Sequence, residues 1–130
     1  MKSRISLAIV GFLSVSAVHA QFARSEGTFT SPAATVRVVL LDQDKGIAAA
    51  SAVVVAGSCS ASVSGVGQIR ARVLSIEPYV KVPGGGEACK VDFEFDRSWK
   101  QVKVSSHGCS SYGGASCGFE GQTARRRDDR

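Results

Sequence analysis

The stretch from Val53 to Ile76, VVVAGSCSASVSGVGQIRARVLSI, decides the fold of this chain. Most of its apolar residues fall on odd positions, whereas its serines, glutamine and arginines fall on even positions. This period of two indicates a half-buried β-strand. The odd, inward face is predicted to carry Val53, Val55, Cys59, Ala61, Val63, Ile69, Ala71 and Val73.

Glycines interrupt the same face. Gly57, Gly65 and Gly67 leave room there for a bulge, a sharp bend or the close approach of another backbone. After position 73 the apolar residues move to Leu74 and Ile76, so the alternation slips by one residue, as a bulge or turn requires. The stretch is therefore predicted to form a long bent strand or a hairpin.

The N-terminal segment has the features of a secretory signal peptide. Two basic residues precede an apolar run that closes on Val18-His19-Ala20, which resembles a signal cleaved after Ala20. A transmembrane anchor is the alternative, but Ser14 and Ser16 interrupt the run, and it is shorter than the roughly 20 residues of a spanning helix. We predict a periplasmic or secreted protein that is not inserted in a membrane after cleavage.

The charge of the chain bears on its partners. It carries 16 Lys and Arg against 11 Asp and Glu, and loss of Lys2 and Arg4 with the signal leaves 14 against 11, a net charge of +3. Several of these positive charges lie in the last six residues, so the remaining body is nearly neutral. Nucleic-acid binding is not predicted, because it usually requires a concentrated basic face. We predict a signal peptide over 1–20, one β domain over 21–123 and a disordered charged tail over 124–130.

Four cysteines follow the signal, and an even number in a small exported chain predicts disulfides. A zinc site is the competing interpretation, but no two cysteines have the spacing of zinc ligands, so no metal or other cofactor is predicted. Three pairings are possible. We favour Cys59 with Cys89, because both lie on the apolar phase of a strand, and Cys109 with Cys117, which would close a short surface loop.

The rest of the chain contains further strand patterns. Candidate strands lie at Gly27 to Thr30, Thr35 to Leu41, Cys89 to Phe95 and Trp99 to Ser105, and turns are predicted at 42–46 and at Pro83-Gly84-Gly85-Gly86. Short turns between successive strands describe an antiparallel meander. The predicted fold is all-β, a small antiparallel barrel or sandwich of six to eight strands with two disulfides.

Two short segments allow other interpretations. Asp42 and Asp44 precede Gly46 as in half of a calcium-binding loop, but the later acidic ligands are missing, so a plain turn is predicted. The alanine-rich segment Ile47 to Ala52 is predicted to form a helical turn before the central strand.

The segment from Ser105 to Gly121 is the most unusual one. It places five glycines around Cys109 and Cys117, which predicts a tight loop with unusual backbone angles. Tyr112, Ser111, Gly113 and Gly114 are candidate binding residues, since a preorganised loop displaying an aromatic side chain makes a good contact surface. The alternative is that a bridge here only secures the last strand.

The pattern Cys-x-x-Tyr112 followed by Gly-Ala-x-Cys117-x-Phe-x-Gly resembles the C-terminal signature of small exported bacterial proteins. The signal, size, cysteines and β-meander are also similar to periplasmic lysozyme inhibitors, which are small β-barrels that block the enzyme's cleft with a loop. That resemblance implies a protein partner, a lysozyme, and makes Ser64 and Gly65 candidate binding residues. In Ser64-Gly-Val-Gly-Gln68, Gln68 stands where the inhibitors' Ser-Gly-x-x-Tyr loop has tyrosine.

The sequence therefore predicts an exported, disulfide-linked module that binds a macromolecular partner, a protein, without catalysis. One alternative is a hydrolase using His107 as general base, with one of the nearby serines as nucleophile. The other is a structural or adhesive envelope protein.

Overall fold

The computed structural model describes Gly11 and residues 21–82, 88–113 and 117–128. The predicted signal peptide, apart from Gly11, and the predicted turn at 83–86 lie outside these residues. Across the described part of the chain, no helix is long and apolar enough to cross a membrane.

Eight antiparallel strands form a closed barrel in which each strand pairs with its neighbours in sequence and the last pairs with the first. This confirms the predicted all-β class and antiparallel meander. A 3₁₀ helix, Ser110–Tyr112, follows the seventh strand. The strands are β1 (Gly27–Thr30), β2 (Ala34–Asp42), β3 (Ile47–Ala56), β4 (Cys59–Arg70), β5 (Val73–Pro78), β6 (Lys90–Phe95), β7 (Gln101–His107) and β8 (Thr123–Arg126).

Inward-facing side chains fill the barrel, as expected for eight strands. In β6 the predicted alternation is confirmed, because Val91, Phe93 and Phe95 are buried and Glu94 is exposed. The largest fully buried side chains include Phe29, Phe93, Phe95, Phe119, Leu74 and Ile76.

The central stretch contains three strands and two tight turns. A turn at Gly57 and Ser58 separates β3 from β4, and a turn at Ala71 and Arg72 separates β4 from β5. Each turn resets the inward phase, which confirms the slip near Val73. A bend at Gly57 was allowed for, but not the change of phase that the turn there causes, so the assignment of Val53 and Val55 to the inward face is wrong: both are exposed, 42% and 52% respectively, and even positions face inward in β3.

The predicted helical turn at 47–52 is also wrong. These residues form the first half of β3 and pair with both β2 and β4. Alanine favours helices in isolation, but tertiary pairing overrides that weak preference. In this strand Ala48, Ala50 and Ala52 are small inward residues that pack against the larger side chains of the core.

Close backbone approach explains Gly65 and Gly67, as predicted. A Cβ atom at Gly65 would collide with the carbonyl oxygen of Glu77, and one at Gly67 with that of Ser75. The neighbouring strand β5 therefore lies against β4 at a distance that only glycine permits.

Strand β8 closes the barrel, so the predicted disorder over 124–130 is wrong for residues 124–126, which lie in that strand. Arg126 in β8 donates hydrogen bonds to the carbonyl oxygens of Glu26 (2.6 Å), Trp99 (3.0 Å) and Arg24. Its guanidinium also lies 4.6 Å from the centre of the Phe29 ring, a cation–π contact. Burial lowers the pKa of Arg126, with a further contribution from Arg24. The mixed charges of this segment gave no indication in the sequence that Arg126 binds backbone carbonyls.

Arg126→Ala is expected to lower the free energy of unfolding by about 2 kcal/mol, because charge-assisted hydrogen bonds and an aromatic contact are lost together. Arg125, exposed on the same strand, provides the matched control, and Arg125→Ala should change stability by less than about 0.5 kcal/mol. Urea unfolding of the oxidised proteins measures both. Equal effects of the two substitutions would show that Arg126 does not hold this end of the barrel.

Candidate functional site

The outer surface of β2 to β4, with the segment that follows β5, carries an apolar face. Its members are eight large apolar side chains, each at least 38% exposed. Their exposed fractions add up to the equivalent of four to five fully exposed residues. This apolar face consists of Val39, Leu41, Val53, Val55, Val66, Tyr79, Val80 and Val82.

Two adjoining grooves cross this face. The main groove, of about 530 Å³, is bordered by Val53, Val80, Val82 and Tyr112, with Ser64 on its floor. A side groove of about 340 Å³ lies next to it and is lined by Arg37, Val39, Ala49, Val66 and Tyr79, among others. Ser51 and Ser64 line both grooves, so the two lie side by side.

One wall of the main groove is the strap, which we define as residues 79–82. The Tyr79 N–H donates to the Ser64 carbonyl (2.8 Å), which ties the start of the strap to β4. Farther along, the Tyr112 hydroxyl donates to the Val80 carbonyl (3.0 Å) and accepts from the Val82 N–H (3.3 Å). A single side chain thus satisfies two backbone groups of the strap and fixes its distance from the 3₁₀ helix.

The position of Tyr112 depends on two disulfides. Cys59 pairs with Cys117, with 5.7 Å between Cα atoms, and Cys89 pairs with Cys109, with 4.5 Å. The loop between Cys109 and Cys117 is therefore attached to the barrel at both ends, by different bridges. Gly113 packs so closely on Ala61 that a Cβ atom there would collide with it.

The predicted pairing of Cys59 with Cys89 and of Cys109 with Cys117 is wrong. Strand β5 lies between β4 and β6, so these two strands are two spacings, roughly 10 Å in total, apart. That distance exceeds the reach of a disulfide. In contrast, Cys89 precedes β6 and Cys109 follows β7, and these two strands are direct neighbours with Lys90 opposite His107. Alternation indicated which face each cysteine occupies but not its position along the barrel. All four half-cystines lie at one end, and Cys109 and Cys117 are buried rather than on the surface.

The structure brings together site residues that are far apart in sequence. Ser64, Ser111 and Tyr112 all line the main groove, and Gly65 lines the side groove. Gly113 lies behind the groove against Ala61, whereas Gly114 lies outside the described residues.

Two expectations about these residues are corrected. Tyr112 is half-buried and hydrogen-bonded to the strap, so it is not an exposed loop tip. The segment from Ser64 to Gln68 is not a loop like that of the lysozyme inhibitors, because it lies in the middle of β4 and pairs with both β3 and β5. The glycines at alternate positions of this segment are those of a strand packed closely between two neighbouring strands.

The sequence interpretation missed the strap and the outward valines. The signal for the strap was present in Tyr79-Val80-Lys81-Val82, where three large apolar residues lie between a strand-ending proline and a glycine run. The signal for Val53 and Val55 was the unbroken apolar run of β3, which leaves apolar side chains on both faces.

His107 lies at a different place, in a polar cleft of about 230 Å³ with Lys90, Asp92, Ser105, Ser106 and Glu120. The Ser75 hydroxyl donates to Asp92, and the Ser106 N–H donates to Glu120 (2.5 Å). Both carboxylates therefore accept hydrogen bonds that join neighbouring parts of the barrel. The cleft places His107 beside Ser105 and Ser106, two of the serines that lie near it in sequence.

Comparison with known proteins adds no relative, since no protein-family model, curated protein or solved structure matches this chain significantly.

Tyr112→Phe keeps the ring but removes the hydroxyl that holds the strap. We expect the Val82 amide to exchange with solvent about fivefold faster, since loss of one such hydrogen bond is worth about 1 kcal/mol. Tyr79→Phe is the matched control, because Tyr79 is 85% exposed. Amide exchange followed by NMR measures both variants. An unchanged Val82 rate in Tyr112→Phe would mean that the strap is held by other contacts.

Proposed function

We propose that this protein is an exported, disulfide-linked module that binds another protein through the apolar face. The observation that carries the proposal is the size and position of that face. Apolar surface of this extent is costly in water, and in folded proteins it usually marks an interaction site. Two disulfides are typical of exported proteins, and the predicted signal peptide supports the same destination.

The composition of the face favours a protein partner. Tyrosine side chains at the two grooves offer a large apolar area with a polar end, a combination enriched where proteins bind one another. Serines on the groove floor add hydrogen-bonding groups without charge. Among the residues that line the two grooves, Arg37 is the charged one, so the face lacks the basic surface that binds nucleic acids or anionic membranes.

The fixed geometry of the main groove supports the same role. Disulfides hold the 3₁₀ helix, Tyr112 holds the strap, and the strap forms the wall. A surface that is already ordered loses little conformational entropy on binding. The resemblance to periplasmic lysozyme inhibitors provides the first partner to assay, although the contact would lie on the outer face of β3 and β4 instead of on an inhibitor-type loop.

The decisive variant places charge in the main groove. Val53→Asp with Val80→Asp should weaken partner binding at least thirtyfold, because two carboxylates would be desolvated at the contact. Thr123→Asp is the matched control: it lies exposed on β8, four strands away from β4 around the barrel. Binding is measured by calorimetry with c-type lysozyme, and with any protein captured from envelope or host extracts by the parent and by Thr123→Asp.

Retention of binding by Thr123→Asp and its loss in the double variant support the proposal. Equal binding by the double variant and the parent would show that the contact lies elsewhere. Slower lysis of bacterial cells by lysozyme in the presence of the parent, but not of the double variant, would identify the inhibitor form of this function.

A further inference from the structure

Strand β4 extends beyond its neighbour β5 at the disulfide end of the barrel. It pairs with the whole length of β3, from Cys59 opposite Ala56 to Gln68 opposite Ile47. Its register with β5 begins only at Gly65, opposite Pro78. Within the described residues, the β5-facing side of positions 60–63 therefore has no strand beside it. We call this side the open edge of β4.

The orientation of the backbone at the open edge follows from two hydrogen bonds. The Ser64 carbonyl accepts from Tyr79, so the backbone groups of Ser64 point away from β3. On β3, the Val55 N–H donates to Ala33, so Val55, which is opposite Ser60, points away from β4. Because orientation alternates along an antiparallel strand, Ser60 and Ser62 share the orientation of Ser64. Their N–H and C=O groups face the open edge.

The surroundings of the open edge leave space beside it. Ser62 lines the main groove, and Ser60 and Ser62 are exposed. Side chains of a strand stand on the faces of the sheet, so those of Ser60 and Ser62 do not obstruct a backbone at the usual strand separation of roughly 4.8 Å. Val80, Val82 and Tyr112 line the same groove.

We propose that the open edge of β4 binds an extended peptide segment of the partner protein by β-strand addition; this inference rests on the proposed protein-binding function. The segment pairs its backbone with Ser60 and Ser62 and directs alternate side chains into the main groove. Those side chains are apolar, because Val53, Val80 and Val82 receive them. The segment has no proline at the positions that pair.

Backbone chemistry selects this occupant. A row of N–H and C=O groups at a strand edge is a template for another chain, and it supplies affinity without depending on sequence. A lipid or small apolar ligand would fill the groove but leave those backbone groups without partners. The groove beside the edge then adds side-chain selectivity at alternate positions of the peptide.

The test begins with linear dodecapeptides selected from a phage-displayed random library on the purified, oxidised protein. One selected peptide is resynthesised with a single N-methyl group at each position in turn. Strand addition predicts that N-methylation weakens binding at least tenfold at alternate residues of a four- to five-residue core, and less than twofold at the residues between them.

Protein variants test the same contact from the other side. Ser62→Pro removes the N–H that faces the open edge, and it leaves the ladder to β3 intact because Ser62 does not donate to β3. We expect it to weaken the peptide at least tenfold, while Ser62→Ala, which keeps the N–H, changes affinity less than twofold. A nearly unchanged unfolding temperature and the presence of both disulfides in each variant show that it is folded. If Ser62→Pro fails to fold, the N-methyl series on the parent protein decides.

The outcomes separate this inference from the function on which it rests. Strand addition is overturned if N-methylation weakens binding equally at every position of the peptide. If binding is still lost in Val53→Asp with Val80→Asp, protein binding through the apolar face stands. A selection that yields no peptide, with a folded partner still bound at the face, also overturns strand addition and leaves protein binding in place. A dimer of the parent that Ser62→Pro dissociates would show that the occupant is a second copy, and overturns the proposal. If none of the groove variants changes the affinity for any partner or peptide, the proposed function itself is overturned.

Discussion

The mismatch in length between β4 and β5 is the constraint on which the functional surface depends. Strand β4 has 12 residues and pairs with all of β3, whereas β5 has six and ends at Pro78. Beyond that proline the chain leaves the sheet and becomes the strap. The hairpin of β3 and β4 therefore extends past the rest of the barrel wall. The main groove exists because the strap lies beside this hairpin without forming a strand ladder with it.

Covalent links keep this arrangement in place. A flexible strap and loop would collapse onto the hairpin, because open apolar grooves are unfavourable in water. The two disulfides hold the loop from opposite sides, Gly113 packs the loop against Ala61, and Tyr112 connects the loop to the strap. The end of the barrel that carries both disulfides is thus the end that carries the groove, whereas Arg126 lies at the opposite end.

Local alternation predicted the fold class, the inward faces of β4 and β6, and the close packing at Gly65 and Gly67, because these depend only on neighbouring residues. It allowed for a bend at Gly57 but not for the change of phase at that turn, which places Val53 and Val55 on the outer face of β3. Nor could it predict the disulfide pairing, since the distance between Cys59 and Cys117 depends on the order of strands and on where each strand ends. The groove arises from residues of β3, β4, the strap and the loop, and only the closed barrel brings them together.

Near its disulfide end, β4 has one side paired with β3 and one open side. Amide hydrogen exchange along β4 distinguishes the two sides. The N–H groups of Ala61 and Val63 face β3, and those of Ser60 and Ser62 face the open edge. We expect strong protection at Ala61 and Val63 and exchange near the rate of an unstructured chain at Ser60 and Ser62. Equal, strong protection of all four amides would show that the edge is already occupied and that β4 has no open side.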